Sequence, residues 1–407
     1  MRPGAASPIA RLVGARALNT FGRAVLSATV LWELYDRTGD TLVLAAVGVV
    51  QVLPVIALFV PVGALVDRVD RRLLTTAAAA LAGAVGLGLA AASLLAAPVP
   101  VYLGLLLVYG CVNAVHAPAS SSLVPMIIAR PDLVRTNQLS SSLQELAAIT
   151  GPALAGLALA FVIPGAVYAA IAATGLASAS LYRALPAPRP IAAEAATAGA
   201  SRRDWRVGLR FIARTPLLAS ALTLDMFAVL FAGVTALLPA IASDVLHVGP
   251  IGYGVLRASQ SAGAVTMAIA GHYMPGWRRP GRVLLVVVAL FGLATVGFGL
   301  STSFPLSVAL LFACGALDNI SVVIRLTLEQ MVVPDHIRGR VSAVHFVFIG
   351  MSNELGAAES GAAAWLIGTV PAIVVGGGLA MLVVGVVALR WPQLAAMPPL
   401  DDLAPAE

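Results

Sequence analysis

Long apolar segments follow one another along almost the whole chain, and only short breaks rich in proline, glycine or charged residues separate them. A helix needs about 20 predominantly apolar residues to cross the hydrocarbon core of a bilayer. Segments of suitable length, which we call spans 1 to 12, lie at approximately 13–34, 42–65, 73–95, 100–127, 138–162, 165–184, 217–242, 251–274, 283–301, 305–329, 341–366 and 371–390. We therefore predict an all-α integral membrane protein with twelve transmembrane helices.

The composition excludes several other classes of protein. Only 11% of the 407 residues are charged and 59% are hydrophobic, whereas soluble domains carry roughly a quarter of their residues as charges. The 38 glycines and 26 prolines follow no short repeat, which excludes a collagen-like or disordered chain. Cys111 and Cys314 both lie in apolar segments, so we expect no disulfide framework. The first segment has no clear cleavage site and carries Arg16, Arg23 and Glu33, so we expect a retained helix rather than a signal peptide.

Positive charge is concentrated on one set of loops. All 25 basic residues are arginines, and no lysine occurs. With a cytoplasmic N-terminus, 20 arginines fall in cytoplasmic loops or tails, one (Arg37) falls outside and four lie within spans. This asymmetry follows the positive-inside rule and predicts a multi-pass protein of a bacterial inner membrane with both termini in the cytoplasm. Because the charges are spread over many loops, we expect no nucleic-acid partner.

The longest polar interruption divides the spans into six and six. We predict an N-terminal half at 1–185, a cytoplasmic linker at 186–215, a C-terminal half at 216–392 and a cytoplasmic tail at 393–407. Within the linker, apolar residues alternate with arginines between positions 205 and 214, which predicts a short amphipathic helix on the membrane surface.

The two halves are weakly similar to each other. Residues 107–111 resemble residues 310–314, and the Pro-Asp pair at 131–132 recurs at 334–335, both at an offset of 203. Paired halves of this kind are typical of transporters whose substrate site lies near the membrane midplane, at the interface of the halves.

The loop between spans 2 and 3 holds the sharpest motif, which reads Gly63-Ala-Leu-Val-Asp67-Arg68-Val-Asp70-Arg71-Arg72. It resembles the signature loop of the major facilitator superfamily. Gly63 permits a close approach of helices, and Asp67 can accept hydrogen bonds from an arginine or from the amides of another helix. We expect this loop to act as a latch on the cytoplasmic side. The alternative is a positive-inside anchor without a gating role.

A second motif lies in span 5, where the chain reads Thr150-Gly151-Pro152-Ala-Leu-Ala-Gly156. It resembles the motif of the antiporter branch of the superfamily. Pro152 removes an amide donor and Gly156 admits close packing, so a pliable helix is expected. The alternative is a generic kinked interface of small residues.

The second half carries a more specific resemblance, in the stretches that begin at Asp225, Ser321, Pro334 and Ser352. They resemble the bacterial group of enterobactin-exporter-like and macrolide-efflux-like carriers, drug:proton antiporters of the superfamily. The resemblance covers nearly the whole chain. It implies the major facilitator fold of two pseudo-symmetric six-helix halves and a proton-driven exporter of a small amphipathic drug, antibiotic or siderophore. Many proton antiporters of the superfamily carry an arginine in span 4, and this chain has none there.

Charged side chains within the spans are the main functional candidates, because a charge at the bilayer centre costs about 2.5–3.5 kcal/mol or more. A carboxylate in a low-dielectric cavity can bind a proton near neutral pH, so proton and substrate can compete for one acid. The residues expected to serve proton coupling or the substrate cavity are Arg23, His116, Glu145, Asp225, Arg257, Asp318, Arg325, Glu354 and Glu359.

Structural roles are the alternative for each of these residues. Arg325 and Glu329 stand four residues apart on one helix, a spacing that permits an ion pair. His116 and His345 are expected to be polar side chains with satisfied hydrogen bonds. Acidic residues would suit a cationic drug or protons alone, and Arg23, Arg257 and Arg325 would suit an anionic siderophore.

Signals for other chemistry are absent from the sequence. No G-x-x-x-x-G-K-[ST], H-E-x-x-H or paired C-x-x-C occurs, so we expect no ATP-driven step, no metal and no cofactor. The sequence thus predicts a monomeric secondary active transporter whose partners are a small-molecule substrate, protons and the lipid bilayer. The alternatives are an importer or facilitator, an intramembrane enzyme acting on a lipid, and a sensor or scaffold that transports nothing.

The orientation can be tested by cysteine labelling in a chain that carries Cys111→Ser and Cys314→Ser. We expect Ser303→Cys, between spans 9 and 10, to react in intact cells with a membrane-impermeant maleimide. Arg279→Cys, between spans 8 and 9, should react only after the membrane is opened. The opposite pattern of labelling would reverse the predicted orientation.

Overall fold

The computed structural model describes residues 7–187, 205–271, 273 and 277–403, and every regular element among them is helical. Six long helices come first: α1 (Pro8–Thr38), α2 (Thr41–Arg68), α3 (Arg71–Leu94), α4 (Val99–Ile127), α5 (Leu133–Phe161) and α6 (Pro164–Arg183). The short α7 (Trp205–Arg214) precedes α8 (Pro216–Ala232), α9 (Gly249–Gly271), α10 (Pro280–Leu300), α11 (Phe304–Val332), α12 (Asp335–Ile367) and α13 (Thr369–Arg390). Linker residues 188–204 and tail residues 404–407 lie outside the described part.

Nine of the described helices are long and apolar enough to cross a membrane. They are α2, α3, α4, α5, α6, α8 with the short turns that continue it to Val245, α10, α11 and α13. The helices α1, α9 and α12 are as long, but polar and charged side chains such as Arg23, Arg257 and Glu354 lower their hydropathy. The chain is therefore a multi-pass membrane protein, and the count of twelve spans stays a prediction.

Local signals fix the ends of α1. The hydroxyl oxygen of Ser7 accepts a hydrogen bond from the Ala10 amide at 3.2 Å, and Pro8 occupies the first turn, where a missing amide hydrogen is harmless. At the other end, Gly39 adopts a left-handed conformation with φ of 60°, and its amide donates to the carbonyl of Tyr35 at 2.7 Å. The helix is thus capped at both ends, and its length is set by the sequence.

One compact unit comprises residues 1–39, 49–193 and 249–258, as far as they are described. It contains α1, most of α2, α3 to α6 and the first part of α9. A buried cluster joins α1, α3, α4 and α6 through Leu12, Ala79, Leu123 and Tyr182. Burial of these side chains fixes the positions of the polar residues on the same helices.

The other compact unit comprises residues 40–48, 194–248 and 259–407, again as far as they are described. It contains the start of α2, α7, α8, the rest of α9 and α10 to α13. Leu224 of α8, Val288 of α10, Ile324 of α11 and Val387 of α13 belong to one buried cluster. The charged residues of α8 and α11 project from the same two helices that this cluster holds together.

Each compact unit contains one short exchanged segment from the other side of the linker, and glycines allow both close contacts; the division into halves at 1–185 and 216–392 stays a prediction. In segment 40–48, a Cβ on Gly48 would lie only 2.7 Å from the backbone nitrogen of Ala358 on α12. In segment 249–258, Gly254 of α9 lies against Gly156 of α5, where a Cβ on Gly254 would be 2.9 Å from the Gly156 Cα. Only residues without a side chain allow backbones to approach this closely.

The helix α7 packs its apolar residues within the second unit. Phe211 and Ile212 belong to a cluster with residues of α8 and α12, including Leu222 and Val341. Its arginines at 206, 210 and 214 are exposed. The structure therefore accounts for its apolar face by protein contacts, and its location on the membrane surface stays a prediction.

Close packing of α9 on α11 depends on two more glycines. A Cβ on Gly315 would overlap the carbonyl oxygen of Gln260, and a Cβ on Gly263 would overlap the carbonyl oxygen of Phe312. Backbone atoms cannot move aside as a flexible side chain does. These positions therefore exclude any larger residue unless the two helices separate.

We predict that Gly315→Ala lowers the stability of the purified protein in detergent, by about 1–3 kcal/mol, because the added methyl group overpacks the α9–α11 contact. The matched control is Gly385→Ala on α13, where nothing lies within 4 Å of the added Cβ. That change should leave the melting temperature unchanged or raise it, since alanine favours helix over glycine. Equal melting temperatures of the two variants would contradict the packing role of Gly315.

Candidate functional site

A buried ion pair joins two helices of the second unit. The guanidinium of Arg325 on α11 contacts the carboxylate of Asp225 on α8, and only 2% and 8% of the two residues are exposed. The Nε of Arg325 also donates to the carbonyl of Ser321 at 3.2 Å, which holds the side chain along its own helix. Both residues were candidates from the sequence, and the structure brings them into contact.

A second carboxylate lies near this ion pair. Asp318 stands two turns before Arg325 on α11, and it interacts electrostatically with both Asp225 and Arg325. Two carboxylates close to one guanidinium carry a net negative charge when both are ionised. One bound proton would remove that charge, so the three side chains form a chemically sensible place to bind a proton.

A further buried pair lies close to the end of α11. Nδ1 of His345 on α12 lies 2.5 Å from Oε2 of Glu329, and the hydroxyl of Ser342 donates to Oε1 of Glu329. The sequence spacing allows an Arg325–Glu329 pair, but the structure pairs Arg325 with Asp225 instead. The side chain that contacts Glu329 is His345 of α12. Sequence reasoning could not find this, because it depends on the contact of α12 with α11.

The polar residues of the first unit form a separate group. The amide nitrogen of Asn19 on α1 lies 2.9 Å from Nδ1 of His116 on α4, and the His116 ring packs edge-on against Tyr182 with centroids 5.6 Å apart. Arg23 is exposed in the described chain and interacts electrostatically with His116 and Tyr109. Together, α1 and α4 therefore present a cationic and hydrogen-bonding surface within the first unit.

Arg257 belongs to this same unit, because it lies in the exchanged segment of α9. Its guanidinium donates to the Ser27 hydroxyl at 2.9 Å and to the Tyr253 hydroxyl at 3.3 Å. The Tyr253 hydroxyl in turn donates to the carbonyl of Ala28 at 3.0 Å. Arg257 is thus fixed against α1, with hydroxyl groups rather than a carboxylate as its described partners.

The other acidic candidates differ in their burial. Glu145 on α5 is exposed, and Glu359 on α12 has a weak contact at 3.4 Å with its neighbour Ser360. Glu354, on the same helix, is half-buried. Among the acidic candidates, the described contacts bring Asp225 and Asp318 together with Arg325.

The loop motif after α2 is only partly described. Asp70 caps α3, since its Oδ1 accepts hydrogen bonds from the amides of Arg72 at 2.8 Å and Leu73 at 3.3 Å. Arg71 approaches the sulfur of Met126 on α4 at 2.9 Å. The surroundings of Gly63 and Asp67 lie outside the described residues, so the latch assigned to Asp67 and Arg68 stays a prediction.

The antiporter-like motif of α5 lies at two close contacts between helices. A Cβ on Gly151 would lie 2.7 Å from the Cβ of Ala24 on α1, and Gly156 faces the start of α9. The helix runs through Pro152 without interruption from Leu133 to Phe161. Gly151 and Gly156 are therefore packing sites between helices. That α5 bends at this motif stays a prediction.

Sequence reasoning missed a buried carboxylate in the first unit. Glu33 of α1 is 2% exposed, and its Oε1 accepts from the Ser93 hydroxyl at 2.7 Å and the Tyr102 hydroxyl at 3.0 Å. Arg37, one turn later, forms an ion pair with it at 2.8 Å and lies over the Tyr102 ring. The four-residue spacing from Glu33 to Arg37 was the available signal. This cluster joins α1, α3 and α4.

The first unit also contains a cavity of about 290 Å³ lined by Arg16, Ser121, Val124, Pro125, Leu133 and Asn137. The candidate residues predicted from the sequence do not line it. Among the described residues, no group of three or more histidine, cysteine, aspartate or glutamate side chains is arranged to hold a metal ion.

Known proteins resemble the chain over most of its length. Macrolide efflux protein A of Streptococcus pyogenes is 24% identical over 315 residues, which cover 75% of this chain and 76% of that protein. Enterobactin exporter EntS of Citrobacter koseri is 26% identical over 352 residues, which cover 84% of this chain and 82% of the exporter.

Solved structures establish the fold. The inward-facing and occupied structure of a bacterial homolog to the human lysosomal transporter Spinster superposes with a TM-score of 0.72 and 14% identity, covering 98% of this chain and 99% of that one. The nucleoside transporter NupG superposes with a TM-score of 0.72 and 13% identity, covering 94% and 99%. Finally, the family model described as transmembrane secretion effector matches residues 7–405. The chain therefore belongs to the transmembrane secretion effector family of the major facilitator superfamily.

Proposed function

We propose that this chain is a proton-coupled exporter of a small amphipathic molecule such as a drug, an antibiotic or a siderophore. The observation that carries the proposal is the buried Asp225–Arg325 ion pair, with Asp318 within electrostatic reach of both partners. The efflux relatives of the chain support export rather than uptake.

The energetics of buried charge support a functional role for this pair. A buried ion pair often contributes no more stability than apolar residues of the same volume would. Intramembrane charges are therefore expensive to keep, and they mark ion pathways, relays and substrate sites. Asp225 and Arg325 lie among apolar residues of α8 and α11, where an aliphatic pair would pack without that cost.

The proposed coupling follows from competition for one guanidinium. When Asp225 is ionised, it holds Arg325, and Asp318 remains a free acceptor for a proton. When Asp225 binds a proton, the ion pair loses its attraction and Arg325 is released. Substrate binding that depends on the position of Arg325 then depends on the proton as well. This reciprocal dependence is what an antiporter requires.

The remaining candidates are proposed to line the path of the substrate or of protons: Arg23, His116, Glu145, Arg257, Glu354 and Glu359. The loop with Gly63, Asp67, Arg68, Arg71 and Arg72 would serve as the cytoplasmic latch. The helix with Gly151, Pro152 and Gly156 would bend as access alternates.

The proposed architecture has twelve spans in two pseudo-symmetric halves, 1–185 and 216–392, with the linker, the tail and both termini in the cytoplasm. It places the chain in a bacterial inner membrane, as a monomer. The three helices α1, α9 and α12, which are not among the nine apolar ones, would then also cross the membrane, with their charges facing protein or a water-filled cavity rather than lipid.

An importer or facilitator of a small metabolite is the second candidate. The fold supports it, because a nucleoside transporter shares the fold at a TM-score of 0.72. The direction of substrate flux under an imposed pH gradient separates the two. Uptake of the probe together with protons would favour import.

We predict that Asp225→Asn alone destabilises the protein in detergent by about 3–5 kcal/mol, because it leaves Arg325 buried without its counter-charge. Asp225→Asn combined with Arg325→Gln removes both charges and should restore the melting temperature. The double variant should nevertheless lack proton-driven transport. Full recovery of transport together with stability would show that the ion pair is structural only.

We predict that cells expressing the chain accumulate less of a macrolide or of enterobactin than cells without it, and that a proton uncoupler abolishes the difference. Asp225→Asn and Asp318→Asn should raise accumulation to the level of cells without the gene. The matched control is Asp36→Asn, because Asp36 is exposed at the end of α1. Uncoupler-resistant efflux by the wild-type chain would exclude proton coupling.

A further inference from the structure

A second buried pair in the second unit, a carboxylate and an imidazole, has no part in the proposed coupling step. Glu329 and His345 are 4% and 3% exposed, and their contact is 2.5 Å. The Ser342 hydroxyl also donates a hydrogen bond to the Glu329 carboxylate. A buried acid and a buried imidazole in contact can pass a proton between them, because histidine serves as a proton shuttle in proteins.

The location of this pair connects it to the first one. Glu329 follows Arg325 by one helical turn, so both side chains lie on the same face of α11. His345 acts electrostatically on Asp225 as well as contacting Glu329. The two pairs are therefore neighbours, and a change of charge in one is felt by the other.

The Glu329–His345 pair lies near the point where α11 ends and α12 begins. Glu329 lies in the last turn of α11, where its carbonyl accepts from the amide of Val333 at 3.0 Å. The following helix begins at Asp335, and Arg338 caps the turn by donating to the carbonyls of Gln330 and Val333. In the proposed orientation this is the cytoplasmic end. Glu329 and His345 thus lie between the Asp225–Arg325 pair and the cytoplasm.

The charges of the described residues around this cluster can be counted. Three carboxylates, Asp225, Asp318 and Glu329, meet one guanidinium, Arg325, and one imidazole, His345. Arg338 pairs with Asp335 at 2.6 Å near the helix start, Arg340 lies beside α7, and the arginines of α7 at 206, 210 and 214 are exposed. The five groups are neutral together when two protons are bound among the three carboxylates and His345. The cluster therefore has room for two exchangeable protons.

We infer that Glu329 and His345 form a proton relay that connects Asp225 to the cytoplasm, with Arg325 moving between the two carboxylates. A proton from outside binds Asp225, and Arg325 leaves it and turns to Glu329, one helical turn away. His345 is then no longer needed as the counter-charge of Glu329 and releases its proton to the cytoplasm.

The relay resets without further reactants. Asp225 gives its proton to the neutral imidazole of His345, and the restored carboxylate takes Arg325 back. The imidazolium pairs again with Glu329. One proton has entered at Asp225 and one has left from His345, and the number of buried charges is the same at the start and the end. Ser342 is a positioning residue that keeps the Glu329 carboxylate turned toward His345.

The inference rests on the proposed function, and reconstituted liposomes separate the two. Each variant is measured in two assays with a radiolabelled macrolide and with enterobactin as probes. The first is transport driven by an imposed pH gradient. The second is exchange of labelled for unlabelled probe at equal pH, which needs no net movement of protons. A relay defect blocks the first assay and spares the second.

We expect His345→Gln and the double variant Glu329→Gln/His345→Gln to keep exchange near the wild-type rate. Gradient-driven transport should fall about 100-fold, the order of magnitude that a positioned proton-transfer group supplies. The double variant carries no unpaired charge, so its melting temperature should match that of the wild type. Ser342→Ala should reduce driven transport less than His345→Gln does. The matched control, His247→Gln in an exposed turn, should change neither assay.

Two results would overturn the relay alone. One is full gradient-driven transport by the double variant; the other is parallel loss of exchange and driven transport at an unchanged melting temperature, which would make the pair part of the substrate site. If the wild-type chain exchanges a probe but shows no gradient-driven transport, the proposed proton coupling fails, and the relay fails with it.

Discussion

A charge in a low-dielectric interior has to be balanced by a neighbour, and this constraint organises both units of the chain. In the second unit, Arg325 balances Asp225, and the His345 ring contacts Glu329. In the first unit, Arg37 balances Glu33, while Arg257 is held by hydroxyl groups of Ser27 and Tyr253. Each of these interactions lies within one helix or between helices that also contact each other. The packing of the helices therefore determines which charged side chains come into contact.

The buried carboxylates differ in the number and location of the groups that bind them. The Glu33 carboxylate has two hydroxyl donors and an arginine one turn away on its own helix, so it would keep Arg37 even if α3 and α4 moved. The Asp225–Arg325 contact spans two helices and has a second acid nearby. A pair with a competing partner is the one that a proton can rearrange, which is why coupling is assigned to α8 and α11.

The sequence predicted the helical, multi-pass membrane architecture, since the length of apolar segments is a property of the chain itself. It also selected Asp225, Asp318 and Arg325 by their depth within the spans. It could not pair Glu329 with His345, because that contact depends on how α12 crosses α11. It assigned no role to Glu33, whose partners Ser93 and Tyr102 come from separate helices. Spacing along one helix predicts neighbours on that helix, but contacts across helices depend on tertiary packing.

The two exchanged segments have a consequence for synthesis of the protein. The first unit takes residues 249–258 from beyond the linker, and the second takes residues 40–48 from the start of α2. When α1 to α6 have left the ribosome, the first unit still lacks residues 249–258. The surface of α5 at Gly156 therefore stays uncovered until the start of α9 has been made. A chain divided at the linker would yield two fragments that each lack a packed piece, so the two should become stable only when they are made together.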